Sequence, residues 1–146
     1  MSTTAADRHS AADGEEFEAD FVVVGSGAAG LTAAITARRR GLTVIVLESQ
    51  DVVGGTTARS GTWIWSPNNR WMRELGFADD RDDAVRYMAR LSFPDRYQPD
   101  AERFGLEPHE YEMLNTFYSA SGAALEELTE AGALDPVVRT DAPDYF

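Results

Sequence analysis

Cysteine is absent from this 146-residue chain, and the absence excludes several kinds of chemistry. Without thiols the chain forms no disulfide, no thiolate metal site and no covalent cysteinyl link to a cofactor. Histidine is scarce as well, because only His9 and His109 occur, far apart in sequence. We therefore expect no metal site.

Basic residues and long apolar runs are also lacking. Thirteen Lys and Arg stand against 25 Asp and Glu, so the formal net charge is −12. Nucleic-acid binding needs clustered positive charge, so this excess of acidic residues excludes nucleic acid as a partner. No apolar run approaches the roughly 18 residues of a membrane helix. The first 20 residues contain no hydrophobic core of a secretory signal. The expected location is the cytoplasm, and the oligomeric state stays open.

The chain changes character near residue 19. Residues 1–18 are small, polar and acidic, which is typical of a disordered leader. The folded part is expected to occupy residues 19–146. It begins with an apolar run, Asp20–Val24, whose β-branched residues predict a strand buried on both faces.

The next residues complete a βαβ unit. A helix is predicted over Leu31–Arg40, with Gly41 as its C-terminal cap and Arg38–Arg40 complementing the helix dipole. A second apolar strand is predicted over Leu42–Leu47. Glu48 follows it directly. The unit predicts an α/β fold of the Rossmann type.

The remainder of the chain is predicted to be mainly helical. Residues 51–69 are expected to form an ordered loop with a short helix, and Asp79–Leu91 a longer helix. Another helix begins at Pro108 and runs to about Ala131. Its apolar side chains predict one buried face with a gap at Ser121; they are Tyr111, Leu114, Tyr118, Leu125 and Leu128.

The predicted sheet is incomplete. Val137-Val138 is typical of the start of a third strand. A doubly wound sheet has five or six strands, more than this chain supplies. Either the chain is a fragment of an N-terminal dinucleotide-binding domain, or its missing strands come from another chain. A fragment is the favoured interpretation.

A glycine-rich turn follows the first strand. Gly25-Ser26-Gly27-Ala28-Ala29-Gly30 matches G-x-G-x-x-G. The first glycine permits the tight turn, the second lets the backbone approach a pyrophosphate, and the third lets the helix pack against the sheet. The pyrophosphate would lie at the helix N-terminus, where N–H groups point outward.

In dinucleotide-binding folds an acid about 20 residues after the glycine-rich motif binds a ribose hydroxyl, and Glu48 stands close to that position. Its carboxylate would repel a 2′-phosphate, which disfavours NADP. The alternative is a solvated charge at a strand end. The βαβ unit alone does not distinguish NAD from FAD.

A second loop, Gly54–Gly61, combines paired glycines with hydroxyl side chains. Its backbone N–H groups and short donors are suited to a further portion of an extended cofactor. The alternative is a flexible surface loop.

These motifs resemble a known group. DFVVVGSGAAGLTAAITARRRGLTVIVLE followed by VGGTTARSG is similar to the N-terminus of the succinate dehydrogenase/fumarate reductase flavoprotein superfamily. Within it, GGTTARSG and IWSPNN are most similar to the 3-ketosteroid dehydrogenases. The resemblance covers residues 19–70 and returns at Pro143-Asp144-Tyr145, which resembles a segment bearing an active-site tyrosine. Trp63 departs from it, since a small residue is usual there. The large ring would fill core or reshape the substrate pocket.

The resemblance implies FAD as cofactor. FAD would be held non-covalently, since the histidine of covalent relatives has no counterpart near Thr56-Thr57. Tyr145 would line the substrate pocket and support proton abstraction. The implied FAD contacts are Gly25, Ser26, Gly27, Ala28, Ala29 and Gly30 at the pyrophosphate, Glu48 at the ribose, and Gly55, Thr56, Thr57, Ser60, Gly61 and Thr62 toward the flavin.

The implied reaction is 1,2-desaturation of a 3-ketosteroid or a similar cyclic ketone, with hydride transfer to the flavin. The small-molecule substrate is then the partner. The catalytic base would lie beyond Phe146, so the isolated chain is expected to be inactive. Three alternatives stay open: a fumarate-reductase-like flavoprotein acting on a small dicarboxylate, an NAD-binding dehydrogenase, and a non-enzymatic nucleotide-binding fragment.

Overall fold

The computed structural model describes residues 16–61 and 63–141, and these have the predicted α/β organisation. Most of the predicted acidic leader lies outside the described residues. The chain divides between Arg59 and Ser60 into two units, each of which is described by itself.

The first unit is built on two parallel strands joined through a helix. Strand β1 spans Phe21–Val24, helix α1 spans Ala28–Arg39 and strand β2 spans Val44–Leu47. Phe21 pairs with Val44 and Val24 with Leu47. Asp20 fixes this register at the amino end, since its carboxylate accepts from the Thr43 N–H at 2.8 Å and the Thr43 hydroxyl at 2.7 Å.

Helix α1 begins three residues earlier than predicted, because the glycine-rich turn itself provides the N-cap at Gly27. Ala34 and Ala37 are buried, and such small side chains permit close packing. The predicted C-terminal signals are confirmed: Arg38 and Arg39 lie in the last turn, and Gly41 has a φ of +85°.

The prediction that β1 is buried on both faces is wrong. Val23 is buried, with its Cγ1 near Gly30 of α1. Its neighbours Val22 and Val24 are 53% and 84% exposed. Side chains alternate between the two faces of a strand, and in the described residues only the α1 face of the sheet is covered.

The second unit is mainly helical. Helix α2 spans Arg70–Glu74, α3 spans Arg81–Ser92 and α4 spans Pro108–Glu130. A short 3₁₀ turn at Glu102–Gly105 lies between α3 and α4. Another, Thr57–Arg59, ends the first unit.

Local signals explain where the two long helices begin. The Asp80 carboxylate accepts from the N–H groups of Asp82 at 2.8 Å and Asp83 at 3.1 Å, which caps α3. Pro108 begins α4 as predicted, and Glu107 and Glu110 form a reciprocal capping box around it.

The core of the second unit lies between α3 and α4. Tyr111 and Tyr118 pack against it, and Leu114 is part of it, so the predicted face of α4 is confirmed there. The gap at Ser121 has a polar explanation, because its hydroxyl lies 2.7 Å from that of Ser66. The buried core residues are Val85, Met88, Ala89, Leu106 and Leu114.

The predicted strand at Val137-Val138 is wrong. Residues 134–139 have no regular structure, and Val137 is 84% exposed. No strand is present in the described part of the second unit to pair with this segment. Arg139 instead pairs with both carboxylate oxygens of Asp141 at 2.7 Å, and it lies 4.8 Å over the ring of Trp63.

Trp63 is 65% exposed, so it does not fill the core. None of the described helices combines the length and apolar character that crossing a membrane requires.

The α4 core face provides a matched test of this packing. Leu114→Ala removes a side chain that is 6% exposed, whereas its neighbour Met113 is 57% exposed. We expect Leu114→Ala to lower the free energy of unfolding by about 2–5 kcal/mol. Met113→Ala should change it by less than about 0.5 kcal/mol. If urea denaturation shows that the two variants lose the same free energy of unfolding, the assigned core is wrong.

Candidate dinucleotide-binding site

The candidate site lies at the carboxyl ends of β1 and β2, the edge at which open α/β sheets bind ligands. The Gly25 N–H donates to the Leu47 carbonyl at 2.7 Å and extends the pairing of the strands. The chain then turns directly into α1. Gly25 adopts a φ of +92°, a conformation that favours glycine.

Gly30 is the point of closest contact between α1 and β1. A Cβ placed on it would lie 2.0 Å from the Gly25 carbonyl oxygen and 3.1 Å from Cγ1 of Val23. No side chain fits there. The predicted packing role of the third glycine is therefore present in the structure.

Gly27 has the opposite environment. A Cβ placed on it meets no heavy atom within 4 Å. The N-cap residue Gly27 supplies no side-chain cap, and the first turn of α1 contains no acidic residue. The backbone at the positive end of the helix is thus open to the approach of an anion.

Glu48 is tied to the glycine-rich turn by hydrogen bonds. One carboxylate oxygen, Oε2, accepts from the Ser26 N–H at 2.9 Å and from the Ser26 hydroxyl. The other, Oε1, accepts from the Gln50 N–H at 3.0 Å and, at 3.4 Å, from the Ser49 hydroxyl. These donors, led by the Ser26 hydroxyl, lower the pKa of Glu48 from 4.5 to about 2.

The loop after β2 is anchored to the same turn. The Gly54 N–H donates to the Ser26 hydroxyl at 2.9 Å, and the Thr57 hydroxyl accepts from the Ala28 N–H at 3.3 Å. A Cβ on Gly55 would lie 3.5 Å from the Gly27 Cα. These contacts argue against an unattached surface loop.

The structure thus brings together most of the predicted site residues. Gly25–Gly30, Glu48 and Gly55–Thr57 all belong to the first unit. Ser60 and Gly61 belong to the second, while Thr62 and Tyr145 lie outside the described residues.

Sequence reasoning missed one participant. Gly54 lies outside the predicted FAD contacts, yet its N–H donates to the Ser26 hydroxyl and its φ is +109°. A Cβ on it would lie 2.6 Å from that of Ala58. The paired glycines were the available signal.

This arrangement fits a dinucleotide. An open helix N-terminus is the kind of site that a pyrophosphate uses, and an ionised carboxylate such as that of Glu48 can accept hydrogen bonds from ribose hydroxyls. Within residues 16–61 and 63–141, no cluster of three or more acidic or histidine side chains is suited to a metal ion.

Comparison with known proteins points to one cofactor. The family model for the FAD binding domain matches residues 20–140, well over half of the chain. The chain is 48% identical over 75 residues to 3-oxosteroid 1-dehydrogenase of Mycolicibacterium smegmatis, covering 51% of this chain and 13% of that protein. It is 49% identical over 73 residues to 4-oxocyclohexanecarboxylate 2-dehydrogenase of Sinomonas cyclohexanicum. This match covers 50% of this chain and 13% of that protein.

A solved structure is similar as well. The 3-ketosteroid Δ1-dehydrogenase of Sterolibacterium denitrificans, in complex with 1,4-androstadiene-3,17-dione, superposes with a TM-score of 0.57 at 30% identity. The match covers 77% of this chain and 17% of that one. The chain therefore spans a small part of the length of these relatives.

The two glycines of the turn give a paired test of the site. Gly30→Ala should destabilise the first unit by more than about 3 kcal/mol, because its methyl group overlaps a backbone oxygen. Gly27→Ala should leave the unfolding transition nearly unchanged and weaken dinucleotide binding. Chemical denaturation and ligand titration of both variants separate the two roles. Equal stability of the two variants would contradict the geometry.

The lowered pKa of Glu48 predicts a pH dependence of stability. An acid with a depressed pKa contributes stability above its ordinary value of 4.5, and this contribution is lost as the pH falls toward about 2. We expect the free energy of unfolding of the wild type to fall more steeply over this range than that of Glu48→Gln. Denaturation at a series of pH values measures the difference between the two proteins. If the free energy of unfolding of the two proteins changes with pH in the same way, strong hydrogen bonding of Glu48 is ruled out.

Proposed function

The chain belongs to the FAD binding domain family, and from this premise we propose that it serves an FAD-dependent dehydrogenase that desaturates a 3-ketosteroid or a similar cyclic ketone. The observation that carries the proposal is the joining of Glu48 to the glycine-rich turn beside an open helix terminus. This is the local arrangement that an adenine dinucleotide requires.

The substrate class is supported by the names of the relatives. A 3-oxosteroid and a 4-oxocyclohexanecarboxylate are both cyclic ketones, and the two enzymes match this chain almost equally, at 48% and 49% identity. The chain covers 13% of each. The proposal therefore includes small cyclic ketones beside steroids. A ketone acidifies the neighbouring carbon, which is the chemical basis for removing a proton there.

The residues of this chain would bind and orient the cofactor. Gly25–Gly30 would hold the pyrophosphate at the start of α1, and Glu48 would accept hydrogen bonds from the adenosine ribose. When bound, FAD supplies the acceptor for the hydride that leaves the substrate. We propose further contacts toward the flavin from Gly55, Thr56, Thr57, Ser60, Gly61 and Thr62.

Two further roles are proposed. Tyr145 would line the substrate pocket and support removal of the proton. FAD would be bound non-covalently, because the chain has no cysteine and no histidine near Thr56-Thr57.

The charge and the composition support the remaining part of the proposal. A net charge of −12 disfavours nucleic acid as a partner, and a small-molecule substrate is proposed instead. A cytoplasmic location is proposed as well.

Purification in the presence of FAD tests the proposal directly. We expect the chain to retain flavin absorbance after free FAD is removed, and acid precipitation to release the flavin intact. Glu48→Gln should weaken FAD binding about 10- to 100-fold, since a hydrogen bond to a charged group is lost. Glu112→Gln is the matched control, because Glu112 is an exposed acid of α4.

Two outcomes would overturn the proposal. One is binding of NAD in preference to FAD. The other is equal FAD affinity of Glu48→Gln and the wild type.

A further inference from the structure

Ser26 has an environment that contact with a pyrophosphate does not explain. Its side chain is completely buried. Its hydroxyl lies between two segments that are distant in sequence: it bonds to the carboxylate of Glu48 after β2 and accepts from the Gly54 N–H of the following loop, at 2.9 Å.

The hydrogen-bonding capacity of Ser26 is directed at these two partners. A serine hydroxyl has one proton to donate and lone pairs to accept with. Because the Glu48 carboxylate is ionised, the proton points to its Oε2, and the Gly54 N–H uses a lone pair. The Ser26 backbone N–H is directed to the same Oε2, at 2.9 Å. Both donors of Ser26 are therefore engaged by Glu48 and not by an approaching phosphate.

This arrangement constrains the acid that would meet the ribose. A glutamate side chain has several rotatable bonds, and ordering it costs conformational entropy. The two donors of Ser26 hold Oε2 in a partly buried position, while Oε1 accepts from two exposed donors, the Gln50 N–H at 3.0 Å and the Ser49 hydroxyl at 3.4 Å. The carboxylate thus presents one oxygen in a fixed orientation before any ligand binds.

We propose that Ser26 is a positioning residue for adenosine recognition: its buried hydroxyl fixes Glu48 for the ribose and ties Gly54 to the same point. The inference rests on the proposed function, because it requires that Glu48 accepts a hydrogen bond from the ribose. Ser26 then acts on the ribose through Glu48, without touching the ribose itself. The low pKa of Glu48 agrees with this role.

The test compares two ligands that differ at one ribose hydroxyl. ADP and 2′-deoxyADP are titrated into the full chain, and chemical shifts of backbone amides give each dissociation constant. In the wild type we expect ADP to bind about tenfold more tightly, because only ADP offers the 2′-hydroxyl to Glu48. In Ser26→Ala the two ligands should bind within about twofold of each other, since the carboxylate is no longer held.

Ser49→Ala is the matched control. Ser49 also bonds to Glu48, but on the exposed side and at 3.4 Å. This variant should keep the wild-type preference for ADP. Ser26→Cys is the second variant if Ser26→Ala does not fold, because its side chain fills the site, being only slightly larger, while donating a much weaker hydrogen bond. Its preference should fall below that of the wild type.

The outcomes separate the two proposals. If the wild type prefers ADP and the folded Ser26 variants keep that preference, Ser26 does not position Glu48, while the proposed cofactor site stands. A purely structural role would weaken both ligands by the same factor and would also overturn the inference. If the wild type does not distinguish the ligands, the ribose contact of Glu48 is wrong and the inference fails with it.

Discussion

The absence of a side chain at Gly30 allows α1 to begin directly at the end of β1. A Cβ at residue 30 would lie only 2.0 Å from the Gly25 carbonyl oxygen. Any larger residue would displace the helix from the sheet. Because the helix is this close, its N-terminus, the end of β2 and the loop that follows fall within hydrogen-bonding distance of one another. The candidate site is the result of that packing constraint.

The polar contacts of the site consist of uncharged donors that surround one charged group, the carboxylate of Glu48. Glu48 receives hydrogen bonds from backbone N–H groups and from serine hydroxyls, and these lower its pKa to about 2. Charge-assisted bonds of this kind are stronger than bonds between neutral groups. The arrangement needs no basic side chain, which would compete with the cofactor for the carboxylate. The acid is stabilised, and its Oε1 has its partners on the exposed side, where the proposed ribose contact would form.

Much of this was predictable from sequence, because local signals determine it. Gly41 and Pro108 mark helix ends, and the glycine spacing identifies the turn. The burial of β1 was not predictable, since it depends on whether a further layer covers the second face of the sheet. The strand predicted at Val137 is absent for a related reason: β-branched residues favour a strand only where a partner strand exists. The partners of Ser26 depend on a loop 28 residues away, which no local pattern encodes.

The exposed face of β1 has a consequence for the colloidal behaviour of the protein. Val22 and Val24 form an exposed apolar strip there, and exposed apolar patches of this kind favour association with other apolar surfaces. The net charge of −12 opposes association through mutual repulsion. Salt shortens the range of that repulsion, from about 10 Å at 0.1 M to about 3 Å at 1 M, but does not weaken apolar attraction. A rise in ionic strength is therefore expected to favour association of this chain.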